Sequence, residues 1–353
     1  MTKHQVTCIG WVAAAMVAGL AAAPSAHASD VHLVHAGESI QKAVNAARAG
    51  ETVVVLPGTY RGSVQIKRSG VTLRGSGPST VLKPSAKGTE NACAKAGNGI
   101  CVTGKDGKPL RDVSIRSLAV SSFKMSGIWA TRTEGMTVRG VTARSNGRWG
   151  IAQERSTRGY FRDNTAKNNV ESGIFLANTI DREGGATDTQ GAVVRDNDLT
   201  GNRIGVTLRR IRNLTVHHNT ISGNCGGVFV VGDEGTPPAG NMTIRNNIVY
   251  KNNKFCAGNS RLPAIQGAGI VLTGAQDTTI SRNFVADNNG SSPLSGGIVL
   301  FKSFVGARNS DNVIRDNMAV RNLPADLADR DTSSTGNRFT RNSCTVSEPT
   351  GRC

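Results

Sequence analysis

Short apolar–polar alternations recur along most of the chain, each opened by a glycine followed by Ile or Val. They begin at Gly99-Ile100, Gly127-Ile128, Gly150-Ile151, Gly173-Ile174, Gly205-Val206, Gly227-Val228, Gly269-Ile270 and Gly297-Ile298. Strict alternation over a few residues marks a strand with one buried face. A second alternation follows each and ends in a turn, as in Phe161-Arg162-Asp163-Asn164, Val194-Arg195-Asp196-Asn197 and Ile280-Ser281-Arg282-Asn283. Five residues after these turns stands another asparagine, at Asn169, Asn202 and Asn288. The constant offset predicts units of three short strands separated by bends. Asparagine suits such bends because it tolerates the left-handed region and bonds nearby backbone. Extra residues fall at 178–190, 232–241, 254–267 and 302–312, so insertions are confined to chosen corners.

The strands are too short and too close for crossover helices. They stack if each pairs in parallel with its counterpart one turn away, rising about 4.8 Å per coil. The reading is an all-β solenoid, with coils from residue 52 to 342 and the bend asparagines stacked as ladders. Propellers and sandwiches need two-residue hairpin loops rich in Asn-Gly or Asp-Gly, and these are scarce.

Ahead of the repeat, Val34-His35-Ala36-Gly37-Glu38-Ser39-Ile40-Gln41 leads into a helical pattern with Ile40, Val44 and Ala47 on one face, ended by Gly50. Thr52 to Leu56, Pro57-Gly58-Thr59-Tyr60 and Val71-Thr72-Leu73-Arg74-Gly75 follow. With these segments the chain resembles the right-handed parallel β-helix, or pectate-lyase-like, superfamily. The resemblance implies that the short N-terminal helix caps the first coil. It speaks for fold more than chemistry. The paired-Asp and Gly-His-Gly signatures of polygalacturonases, the Trp-Ile-Asp-His pattern of the main pectate lyases and the Asp-Pro-His of alginate epimerases are all missing.

The first residues read as an export signal covering 1–28. Lys3 precedes an apolar run from Val6 to Ala23, and Ala26-His27-Ala28 is a small-x-small cleavage site. Residues 29–353 then form one domain, expected to be secreted, free of the membrane and monomeric. Of seven cysteines, Cys8 lies in the leader. The even number left predicts disulfides. Cys225 and Cys256 follow third-strand turns in consecutive coils and should pair. Cys93–Cys101 and Cys344–Cys353 close short loops.

The chain carries 42 Lys+Arg against 25 Asp+Glu, a net charge of +17. With 38% hydrophobic residues it is not disordered, and its 42 glycines lack the strict period of collagen. A basic surface fits a polyanion. The charges are spread over every coil, which argues against nucleic acid. An acidic, uronic-acid polysaccharide is the expected partner.

Alternation assigns faces. One outward column on the first strands is Cys101, Trp129, Ala152, Phe175, Thr207, Phe229, Val271 and Val299; a second contains Glu154 and Arg209. Trp129, Phe175 and Phe229 form an expected sugar platform. Arg132, Arg155 and Arg210 stand at the following bend as substrate-binding cations. Breaking a uronate chain by β-elimination needs a cation on the carboxylate and a base for the adjacent proton. The resemblance implies an Arg or Lys base on this face, often with calcium, and Arg209 is the positional match, with Glu154 as its catalytic partner. Asp181, Glu183, Asp188, Asp233 and Glu234 are oxygen donors of the kind that bind calcium. Hydrolysis would need paired carboxylates, which only Glu154 with Asp233 or Glu234 could supply. His217 and His218 read as turn residues. The rival reading is a glycan-binding β-helix without catalysis.

Overall fold

The computed structural model describes residues 31–86, 91–179, 184–259 and 262–353. The expected leader, Asp181, Glu183 and their neighbours lie outside these ranges. Three long sheets contain 11, 12 and 10 strands, ordered by coil number along the stack, and all their strand pairings are parallel. In one coil the chain runs through Ile151–Glu154 in the first sheet, Tyr160–Arg162 in the second and Thr165–Lys167 in the third. The fold is the parallel β-helix expected from the repeat. The stack is longer at both ends, because Val31–Val34 already pairs with Thr52–Val55 and Leu327 and Ala328 pair with Ser347 and Glu348.

The residues after each glycine fill the coil interior. Ile128, Ile151, Ile174, Val206 and Val228 lie in register and are fully buried. The glycines are there because coils approach closely: a Cβ on Gly150 would sit 2.6 Å from the carbonyl oxygen of Gly173. Helix Ile40–Ala46 closes the open end, with Ser39 capping it through Lys42 N–H and with Ile40 and Val44 buried.

Two asparagine rows run along the molecule. One joins Asn164, Asn197, Asn219, Asn247, Asn283, Asn317 and Asn342, each Nδ2 donating to the next Oδ1 at 2.8–3.0 Å. The other runs from Asn146 to Asn322 and ends on Asp326. These ladders form as expected, but the reason assigned to asparagine at the bends needs correcting. The left-handed residue is the one before it: Asp163 at φ 56°, His218 at 55°, Arg282 at 55°. Asparagine itself is buried and is present for its amide.

All three disulfides form as expected, with Cα–Cα distances of 5.6 Å for Cys93–Cys101, 5.9 Å for Cys225–Cys256 and 5.2 Å for Cys344–Cys353. The corner between second and third sheets is two residues long in coil after coil, as between Arg162 and Thr165. The insertions at 178–190, 232–241 and 302–312 follow first-sheet strands, and 254–267 precedes one. The described parts of these insertions therefore leave or enter the first sheet at its two sides.

Candidate functional site

The first sheet turns its second column outward as expected. Thr131, Glu154, Ala177, Arg209 and Val231 are direct neighbours on successive strands. Trp129, Ala152, Phe175, Thr207 and Phe229 form the adjacent column. Sharing a face does not make them equally accessible. Phe229 is 1% exposed, sealed among Ile265, Leu294, Val271 and Cys225. The Cys225–Cys256 bridge ties the insertion over it. Phe229 is thus a packing residue and leaves the sugar platform.

Phe175 is covered too, by Trp149, a residue the strand pattern missed because it lies in a corner. Trp149 stacks on Phe175 with centroids 4.2 Å apart and on Trp129 at 5.6 Å, with interplanar angles of 10° and 14°. The Arg148 guanidinium lies 3.8 Å from the Trp149 ring centroid. Trp129 remains partly exposed at the edge of this stack. Its sequence signal was the Arg148-Trp149-Gly150 step directly ahead of a strand.

Glu154 is buried, with Arg155 Nε 3.6 Å from its Oε1. Arg155 also donates to Thr179 Oγ1 at 3.3 Å. Arg132 forms a two-pronged contact with exposed Asp106, Nε–Oδ1 2.5 Å and Nη2–Oδ2 3.1 Å. That bond, with the Glu154 charge nearby, raises the Arg132 pKa. Arg209 is half-buried two strands from Glu154, with only Ala177 between them.

Arg210 does not stand as a free substrate cation. It is buried, and its Nε lies 2.6 Å from Asp233 Oδ2, itself buried. Asp233 also accepts from Gly184 N–H and Gly235 N–H. The two insertions meet there, with Ala186 N–H donating to Pro237 O at 2.7 Å. The pair ties the two insertions together, and it removes Asp233 as a hydrolytic partner of Glu154. Substituting Arg210→Met should destabilise the fold by about 3 kcal/mol, because it strands a buried carboxylate. Adding Asp233→Leu should restore most of that, as urea denaturation of the single and double variants would show.

Asp188 is occupied by Gln190 N–H and Asn213 Nδ2. Among the described residues no three His, Cys, Asp or Glu side chains converge as a metal site. His217 is buried, with Nδ1 2.7 Å from His218 Nδ1. Burial, then Arg245, His218 and Arg195, lower its pKa below the ordinary 6.5. The unfolded chain therefore binds the proton more readily. Stability should fall as pH drops through 6.5 and level off below the folded value. His217→Gln should flatten that slope in urea midpoints measured between neutral and acidic pH.

Residues 61–237 match the family described as right handed beta helix region, half of the chain. The chain belongs to that right-handed β-helix family. Residues 178–348 also match periplasmic copper-binding protein (NosD). Among the described residues of that range no three His, Cys, Asp or Glu side chains converge, the cysteines are bridged, and His217 and His218 lie side by side. The A-module of mannuronan C-5 epimerase AlgE6 from Azotobacter vinelandii has TM-score 0.55 and 18% identity, covering 88% of this chain and 91% of that one. The periplasmic alginate epimerase AlgG gives 0.57 and 14%, over 89% and 84%. An alginate lyase from Paenibacillus sp. str. FPU-7 gives 0.54 and 16%, over 90% and 99%. At these identities the likeness is one of fold. No curated protein matches the sequence. The disulfides fit an extracellular or periplasmic setting. Among the described residues no helix is long and apolar enough to cross a membrane.

Proposed function

We propose that this is an exported protein, a single β-helix domain over 29–353 freed of its leader 1–28, that acts as a monomer on an acidic polysaccharide. The reaction is β-elimination of a uronic-acid polymer on the first sheet. The observation that supports this most is the strip where Arg132 and Arg155 flank buried Glu154, bordered by Trp129 and by Arg209. Solved folds of the same kind include an alginate lyase and alginate epimerases, which supports a uronate as the polymer.

Trp129 supports one sugar ring, and Arg132 and Arg155 neutralise a carboxylate, which acidifies the proton on the adjacent carbon. That proton passes to a base, for which Arg209 is the candidate. The electron pair of the broken C–H bond forms the ring double bond as the neighbouring C–O bond breaks, and the leaving oxygen takes up a proton from water.

A second reading, glycan binding without cleavage, is favoured by the pairing of Arg132 with Asp106 and of Arg210 with Asp233. Incubating the mature protein with a panel of polyuronates and following ultraviolet absorbance of unsaturated ends separates them. Absorbance should rise on at least one polyuronate and not on a neutral glucan. Binding with no absorbance on any polymer would favour the second reading.

A further inference from the structure

The second sheet carries a feature that the strip on the first sheet does not use. Strand register sets Arg74 beside Arg116, then Arg139, Arg162 and Arg195 on successive strands. His217 takes the sixth position and Arg245 the seventh. These side chains leave the sheet outward, because their chain neighbours Leu73, Ile115, Val138 and Phe161 are buried inside the coils. At about 4.8 Å per strand the row runs about 29 Å.

Like charges set side by side on neighbouring strands destabilise a sheet. Alternation asks only for polar residues here, so arginine in every coil but one from Arg74 to Arg245 needs a reason. Neutralisation within the protein is partial. Arg139 and Arg162 share Asp163, each at 3.1 Å, and Arg195 lies 2.6 Å from Asp196. Arg74, Arg116 and Arg245 have no acidic partner among the described residues, and Arg116 instead donates to Ser114. Two residues earlier on the same strands stand Thr72, Ser114, Thr137, Tyr160, Val193, Thr215 and Thr243, a mostly hydroxyl column broken at Val193, with Ser114 buried and accepting from Arg116.

We propose that this row is a second binding track, for one extended strand of an acidic polysaccharide with one carboxylate per coil. Only the choice of a uronate polymer rests on the function proposed above. The spacing of the row is about the length of one pyranose residue in an extended chain, and the threonines beside it offer hydroxyls to the sugar. Duplex DNA, with a charge every 1.7 Å or so of its axis, does not match that spacing. Single-stranded nucleic acid is held by stacking on several aromatic rings, and on this part of the face Tyr160 is the one phenol. A polymer long enough to reach both sheets would raise the concentration of its own segments at the first sheet.

The test compares wild type with Arg74→Gln/Arg116→Gln/Arg139→Gln, all exposed positions. Binding is measured to long polygalacturonate and polymannuronate, to their trisaccharides and to duplex DNA. The triple variant should keep its circular dichroism and bind the long uronates about tenfold more weakly, with trisaccharides unaffected. If it unfolds, Arg74→Gln and Arg116→Gln alone should each weaken long-polymer binding about twofold. Wild-type affinity in the variant, or an equal loss for duplex DNA, would overturn the track. Loss in the row variant with none in Trp129→Ala or Arg155→Gln would leave the track standing and remove the first-sheet reading. The reverse pattern removes the track alone, and a wild type that binds no uronate removes both.

Discussion

Replacing Asn219 by alanine should destabilise the protein by about 4 kcal/mol, among the largest losses any single side chain here can cause. Its Nδ2 donates to Val194 O, His217 O and Asn247 Oδ1, at 3.0, 3.1 and 2.9 Å. Its Oδ1 accepts from the backbone and side chain of Asn197 at 3.0 and 2.8 Å. The residue is 1% exposed, so water cannot replace these partners. Each orphaned buried group costs about 1–3 kcal/mol. Asn342, the last rung of the same row, gives up fewer contacts and is 9% exposed. Asn342→Ala should therefore cost about half as much. Urea denaturation of both variants checks the ordering; equal, small losses would mean that the row contributes little beyond the backbone ladders.

The row endings follow the same hydrogen-bond logic. An interior rung must both donate and accept, which an amide does. Asp326 closes its row by accepting from Asn322 on one side and from the N–H groups of Thr345 and Val346 on the other. A carboxylate suffices where nothing further needs a donor.

The fold was legible because a solenoid repeats its packing problem once per coil. The Gly-Ile step and the five-residue asparagine offset record one coil stacking on the next. The site was legible only in part. Alternation states which face a residue occupies, and Trp129, Phe175, Phe229, Glu154 and Arg209 do share one. It does not state what covers that face. Phe229 is sealed by an insertion more than 20 residues further on, tethered at Cys256, and Arg210 is claimed by Asp233 from another corner. Trp149 stood outside the strand pattern altogether. The second-sheet arginines were misread for the opposite reason. One basic residue per coil looks like scatter along the sequence, and stacking gathers it into a line.

Arg209→Ala should lower turnover of a uronate polymer by about 10²–10⁴-fold while the circular dichroism stays that of the wild type. Ala177, the small residue between the strands of Glu154 and Arg209, separates the two by about 9–10 Å in the sheet. That leaves room above it for one sugar ring, with Arg155 on the Glu154 side. A guanidinium stays protonated in almost every setting, which makes it a strong neutraliser and a poor base. Arg209→Lys separates the two roles. If Arg209 neutralises charge, lysine should retain much of the rate with an unchanged pH profile. If it takes the proton, lysine, whose pKa shifts readily when desolvated, should move the pH optimum downward. Turnover by Arg209→Ala at the wild-type rate would exclude the residue from either role and leave the proton to another group on the same strip.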